Sequence, residues 1–297
     1  MPVTSIFIQT LIGGIGIGSL YALVALGYSL VYRSMGLVNF ANGDIYMAGT
    51  YFGIIWYNGM VRGLHLPYPV AFVIGVLLNA VLGIIIERIF RPLQKLDMMF
   101  MLLGTIGLGY VLDNVFTIIF GATGFAVNSP LPDTPIILFG IRVLPQMLLL
   151  ISVSALLMVG LQVFLAKTKT GKAMRASAMD HDVAGAMGIS VNRMNAIAFA
   201  IGSGLGAAAG ILAAPIVYVS PTMGAAVGLK GFAAAILGGL GSIPGAIVGG
   251  LVFGVLEAVS AGFISSNWTQ AIAFVVLLVV LMIRPSGIVG EITVEKV

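Results

Sequence analysis

Met194-Asn195-Ala196-Ile197-Ala198-Phe199-Ala200-Ile201-Gly202-Ser203-Gly204-Leu205-Gly206-Ala207-Ala208-Ala209-Gly210-Ile211-Leu212 opens an uncharged run that continues to Leu229, 36 residues in all. About 20 apolar residues suffice for a helix to cross a bilayer. Gly202, Gly206 and Gly210 recur at every fourth position, so they share one helix face and leave a flat groove for a neighbouring backbone. This predicts a span inside a closely packed membrane bundle. Gly202-x-Gly204-x-x-Ala207 formally matches a dinucleotide fingerprint. It lies within the apolar run, however, not between a strand and a helix, and is set aside.

The rest of the chain repeats the pattern. Of its 297 residues 60% are hydrophobic and 8% charged, where a soluble domain carries roughly 25% charged. That excludes a soluble globular or a disordered chain. The formal charge of +4 points to loops facing the cytoplasm rather than to nucleic acid. Cysteine is absent, which excludes disulfides and Cys-ligated metals. Further uncharged stretches run over 2–32, 63–86, 98–112, 114–132, 143–166, 231–256 and 258–283, and Asp44 and Arg62 bracket another. The start of the chain lacks the basic n-region of a signal peptide and is read as a retained span. The prediction is an all-α, polytopic membrane bundle of eight to ten transmembrane or re-entrant helices, a single transmembrane domain over 1–297.

The charges set the expected topology. Glu87, Arg88, Arg91, Lys95 and Asp97 form one cluster; Lys167, Lys169, Lys172, Arg175 and Arg193, with Asp180 and Asp182, form another. Both are assigned to the cytoplasm. The Pro- and Gly-rich stretch 121–142 and the hairpin around Arg62 and His65 fall outside, as does the N-terminus, with Arg33 near the inner face. Thr222 to Glu257 is too long for one straight helix. A break near Gly241-Ser242-Ile243-Pro244-Gly245 would bring Arg284 inside; an unbroken span would leave it outside. The spacing of Gly241, Gly245 and Gly249, of Gly250 and Gly254, and of Gly14 and Gly18 suggests more helix grooves.

Polar groups at membrane depth are functional candidates. Asn39-Phe40-Ala41-Asn42-Gly43-Asp44 reads either as a discontinuous helix exposing backbone to a substrate or as an interfacial turn capped by Asn42 or Asp44. Lys230 either snorkels outward, lines a pathway or pairs with an acid. Glu257 is an interface residue or a buried partner. Asp113 is a polar kink facing the bundle or the outer end of a short span. Gly171-Lys172 lacks the rest of a phosphate loop. With His65 and His181 the only histidines, zinc hydrolysis and Cys–His nucleophiles are implausible. Residues 167–193 read as short amphipathic surface helices or as a connector.

Here the chain resembles a known family. Gly171-Lys172-Ala173-Met174-Arg175-Ala176, then Asp180, Ala184 and Met187-Gly188-Ile189, resemble the coupling loop of ABC importer permeases for branched-chain amino acids. Gly18-Ser19-Leu20-Tyr21-Ala22-Leu23, the Asn39–Asp44 stretch and Leu229-Lys230-Gly231-Phe232-Ala233-Ala234-Ala235-Ile236-Leu237-Gly238-Gly239-Leu240-Gly241-Ser242-Ile243-Pro244-Gly245-Ala246 are similar to its other motifs. The ending Arg284-Pro285-Ser286-Gly287-Ile288-Val289-Gly290, then Glu295-Lys296-Val297, resembles the LivH-type subunit. Position 42 is Asn where members often carry His or Gln, and position 113 is Asp where an amide is common.

The resemblance implies a type II importer permease, non-catalytic, multi-pass in a bacterial inner membrane. It implies a LivM-type second permease, two LivG/LivF-type ATPase subunits and a periplasmic binding protein. Its cofactors, ATP and Mg, would then sit in the ATPases, with none in this chain and no metal site. Gly171, Lys172, Arg175, Asp180, Ala184 and Gly188 would belong to the segment docked on an ATPase, with Gly188 allowing a tight turn. Asn39, Asn42, Asp44 and Lys230, joined by Glu257 from its depth, are the candidates for the translocation path. The cargo would be leucine, isoleucine or valine. Urea, short amides or another amino acid are the alternative, and a stand-alone channel or secondary transporter a further one.

Overall fold

The computed structural model describes residues 3–60, 63–95, 98–138 and 141–290. Arg62, Asp97, Glu295, Lys296 and Val297, used in the sequence reading, lie outside the described residues. Eleven α-helices make up almost all of the described fold: α1 (Val3–Met35), α2 (Asn42–Tyr57), α3 (Tyr68–Phe90), α4 (Met98–Phe120), α5 (Pro145–Lys167), α6 (Lys169–Met179), α7 (His181–Ala186), α8 (Val191–Ala213), α9 (Met223–Gly238), α10 (Ile243–Phe263) and α11 (Thr269–Ile283). A small antiparallel hairpin, β1 (Ile136–Leu138) and β2 (Ile141–Val143), precedes α5.

Among the described residues, six helices are long and apolar enough to cross a membrane, and α9 and α11 are shorter apolar helices. With α2 they make nine helices in the bundle, within the expected eight to ten. The bundle is arranged with small and polar side chains inside and large apolar ones outside. Gly, Ala and Ser of α8 are buried from Gly202 to Ala213. Leu77, Val81 and Ile85 of α3, Ile118 of α4, Leu156 of α5 and Met282 of α11 are exposed. Such an apolar surface marks a lipid-facing wall, since a soluble monomer rarely shows large apolar patches.

The glycine grooves are occupied. A Cβ on Gly254 of α10 would run into the backbone of Gly18 on α1, and one on Gly250 into Ala22. Gly202 of α8 meets Gly27 of α1, and Gly49 of α2 meets Ala207 of α8. Gly241 is an exception to the expected row. It lies in the turn between α9 and α10, with φ +86° beside Gly239 at +108°, where a spacing of four has no helical meaning. That turn is the predicted break. Ser242 caps α10 by accepting from the Gly245 N–H at 3.1 Å, and Pro244 lies in the first turn, where its missing N–H leaves no helical acceptor short.

The break settles the course of the last third. After α11, residues 284–290 fold back over the end of α9: the Ile288 N–H donates to the Leu237 carbonyl at 2.8 Å and the Val289 N–H to the Gly238 carbonyl at 3.0 Å. These bonds satisfy carbonyls that a helix end leaves open. Arg284 therefore shares an end of the bundle with the α9–α10 turn. At that end a cavity of about 910 Å³ lies between Arg33, Asp180, His181, Ser242 and Pro285. The opposite end is joined by an isolated bridge between Phe125 and Val219 and by Tyr68, whose hydroxyl donates to the Ile211 carbonyl at 2.9 Å. Arg33, Lys167 and Arg175 gather at the first end, which the positive-inside tendency assigns to the cytoplasm.

One charge is not where a loop would put it. Glu87 is in the last turn of α3, fully buried, and accepts both donors of Arg91 at 3.0 and 2.7 Å.

Candidate functional site

The polar stretch at Asn39–Asp44 forms a tight turn into α2. Asn39 is buried and its Oδ1 accepts from the Ala41 N–H at 3.1 Å. The cap is Ala41, with no side-chain cap bond, so neither Asn42 nor Asp44 plays the capping role considered above. Both sit inside the first turn. Asn42 Nδ2 donates back to the Val24 carbonyl on α1 at 3.3 Å. A Cβ on Gly43 would overlap Gly224 and Gly228 of α9, so α2 and α9 touch backbone to backbone here.

That close approach puts Asp44 on a cavity of about 310 Å³ between α1, α2, α4 and α9. Asp113, two-thirds of the way along α4, lines the same cavity, and the two carboxyl groups face one another. Asp113 is thus the bundle-facing group of the two readings. Tyr28, Phe40, Ile106 and Phe232 supply much of the apolar wall. Asn39 and Asn42 lie beside this cavity without lining it.

Lys230 and Glu257 form a second cluster. Lys230 Nζ donates to Glu257 Oε1 at 2.5 Å, and the Tyr21 hydroxyl donates to Oε2 at 2.7 Å. The ammonium also lies 5.7 Å from the centre of the Tyr21 ring, within cation–π range. So Lys230 does not snorkel, and Glu257 is its partner. The five candidate path residues therefore divide: Asp44 lines the cavity, Asn39 and Asn42 hold the turn behind it, and Lys230 and Glu257 tie α9 to α10. Tyr21 and Asp113, absent from that set, complete the two clusters. Asp113 is among the polar candidates of the sequence, whereas Tyr21, a tyrosine in an apolar helix, carries little signal. Among the described residues no cluster of His, Cys, Asp or Glu can hold a metal.

The polar loop at 167–193 forms two surface helices. Thr168 caps α6 by accepting from the Gly171 N–H at 2.9 Å. Gly171 packs on the backbone of Leu165, where a Cβ would overlap. Asp180 caps α7, its Oδ1 accepting from the Asp182 and Val183 N–H groups, each at 2.9 Å. Ala184 is buried, whereas Met179, Val183 and Met187, spaced by four, are 85%, 60% and 79% exposed. Lys172 and Arg175 are exposed on α6, and Arg175 donates to the Ala166 carbonyl at 3.3 Å. Gly188 ends the segment with φ +82°, a conformation that favours glycine. His181 Nε2 lies 3.0 Å from the Ser34 carbonyl and pins α7 to the end of α1.

Exposed apolar side chains thus stand at the end of α6, on α7 and just after it, at the end of the bundle that gathers the basic residues. Comparison with known proteins gives the family. Residues 10–281 match the family described as branched-chain amino acid transport system, permease component. The chain belongs to this permease family. It is 35% identical to the high-affinity branched-chain amino acid transport system permease protein BraD of Pseudomonas aeruginosa, over 100% of both chains. It is 34% identical to LivH of Salmonella typhimurium and of Escherichia coli K12, each over 98% of both chains. Among solved structures, PsaBC from Streptococcus pneumoniae in complex with Fab aligns over 92% of this chain and 91% of its own, with a TM-score of 0.49 and 16% identity. This LivH-family permease is a multi-pass membrane protein, as its apolar helices require.

Proposed function

We propose that this permease is the LivH-type subunit of a binding-protein-dependent ABC importer that carries leucine, isoleucine and valine across a bacterial inner membrane. The observation that carries the reading is end-to-end similarity to high-affinity branched-chain amino acid permeases. In this reading the chain is non-catalytic and forms one permease domain over 1–297. ATP and Mg bind in two LivG/LivF-type ATPase subunits, a LivM-type chain completes the membrane pair, and a periplasmic binding protein delivers the cargo. The segment 167–193 is the coupling element: α6 and α7 present Met179, Val183 and Met187 to an ATPase cleft, with Lys172 and Arg175 at its rim. Gly171, Asp180, Ala184 and Gly188 fix the shape of that element.

The mechanism follows from rigidity. α7 is joined to α1 through His181 and Ser34, and α1 is packed without gaps on α10 through Gly14, Gly18, Gly250 and Gly254. Movement of a docked ATPase would then tilt α1 and α10 as one body and alter the space beside α2, α4 and α9. The test is reconstitution of the chain with its partner subunits in proteoliposomes. Leucine uptake that requires both ATP and the binding protein is expected; uptake without ATP would sink the reading, and uptake of urea or short amides in place of leucine would change the cargo.

A further inference from the structure

The cavity between α1, α2, α4 and α9 holds two carboxyl groups with no counter-ion among the described residues. Asp44 is 8% exposed, and its Oδ1 is buried without a hydrogen-bond partner among the described residues. Asp113 Oδ1 is likewise buried and unpartnered. The two ion pairs found among the described residues, Glu87–Arg91 and Lys230–Glu257, involve neither. Two carboxyl groups in contact at membrane depth repel unless a proton or a cation lies between them. Leaving a buried acceptor unmatched is also unfavourable.

The surroundings keep this arrangement open. A Cβ on Gly109 of α4 would strike Asp44 Oδ2, and one on Gly224 of α9 would strike Oδ1. Glycine at both positions leaves the carboxylate room to face the cavity. At about 310 Å³ the space is near the lower end of the roughly 300–1,000 Å³ found for small-molecule sites. Its wall is apolar and aromatic, from Tyr28, Phe40, Ile106 and Phe232.

We propose that Asp44 and Asp113 form the subsite for the ammonium group of an amino acid in transit, with the aromatic wall receiving its aliphatic side chain. This deepens, and rests on, the reading of the chain as an amino-acid permease. An ammonium carries three donors, enough to bond a carboxylate oxygen of each aspartate. Among the described residues no Lys or Arg lines the cavity, so the amine end of the zwitterion is the end this chain grips.

The test measures thermal stabilisation of the complete transporter in nanodiscs by leucine, by 3-methylbutylamine and by 4-methylpentanoate. Leucine and the amine share the ammonium; the acid lacks it. The amine and leucine should raise the melting temperature by a few degrees, as expected for ligands well above their dissociation constants, and the acid should not. Asp44→Asn and Asp113→Asn should each weaken binding of the amine by at least roughly tenfold, while Asp44→Glu keeps it. No shift with the amine, an equal shift with the acid, or full retention in both Asn variants would overturn the proposal. A shift produced equally by sodium chloride, but not by choline chloride, would overturn it in favour of an inorganic cation. Leucine uptake by the unmodified transporter is read separately. Uptake absent with the amine shift intact would sink the cargo reading and leave the ammonium subsite standing.

Discussion

Lys230 on α9 and Glu257 on α10 face one another at 2.5 Å across an interface where Gly245 and Gly249 pack on the backbone of Ala234 and Gly238. Tyr21 of α1 holds the other carboxylate oxygen, so one neutral cluster joins three helices. Pairing permits both charges to lie at depth, where a lone charge is costly. The pair also bridges the two arms of the α9–α10 hairpin.

Removing one member should therefore harm the fold more than removing both. Glu257→Gln leaves the Lys230 ammonium uncompensated and is expected to cost about 1.5–3 kcal/mol. Replacing both residues with Met removes the charges together and should cost less than either single change. Thermal unfolding of the parent, Glu257→Gln, Lys230→Met and the double variant in detergent checks this; a double variant weaker than both singles would contradict it.

The α1–α10 contact gives a steric prediction. Gly254→Val places side-chain atoms where the Gly18 backbone lies, and overpacking of this kind costs about 1–3 kcal/mol or more. Gly160→Ala on α5 meets nothing within contact distance and faces outward. It should be neutral or stabilising by up to about 1 kcal/mol through helix propensity. Equal melting temperatures for the two variants would show that the glycine groove does not hold the pair together.

The spans and the break were legible because their signals are local. Uncharged runs mark helices, and two glycines followed by Ser-x-Pro mark a stop and a start. Pairings across the bundle were not legible. Asp44 meets Asp113, and Lys230 meets Glu257, only once the rotation of each helix is known. Helices that are apolar all round, such as α9 and α10, carry no polar stripe to fix that rotation. The misplaced Gly241 shows the same limit, since a spacing of four has meaning only after the helix boundary is known. Asn42 and Asp44 look like caps by residue type, yet the chain turns one residue earlier and places both inside α2.

The exposed apolar residues on and just after α7 predict a separation between association and folding. Val183 and Met187 touch little else in this chain, so Val183→Asp with Met187→Asp should leave its stability within about 0.5 kcal/mol of the parent. Co-purification of the ATPase subunits should fall at least roughly tenfold, because a charge buried without a partner in an interface opposes binding strongly. ATPase subunits retained at the parent level would remove α7 from the interface.

Asn79 gives the last prediction, and the sequence offered no hint of it beyond an amide in an apolar helix. It is fully buried on α3, and its Nδ2 donates to the Ile45 carbonyl on α2 at 3.1 Å and to the Ser203 carbonyl on α8 at 2.7 Å. One amide thus ties three helices. Interhelical hydrogen bonds in membranes are worth about 0.6 kcal/mol on average and up to about 1.7, so Asn79→Ala should cost about 1–3 kcal/mol. Asn79→Asp keeps the shape but sets acceptor oxygens against two carbonyl acceptors. That replaces two attractions by two repulsions and adds a buried charge, so the aspartate variant should unfold at a lower temperature than the alanine variant. If alanine proves the more damaging, packing volume rather than hydrogen bonding is what Asn79 contributes.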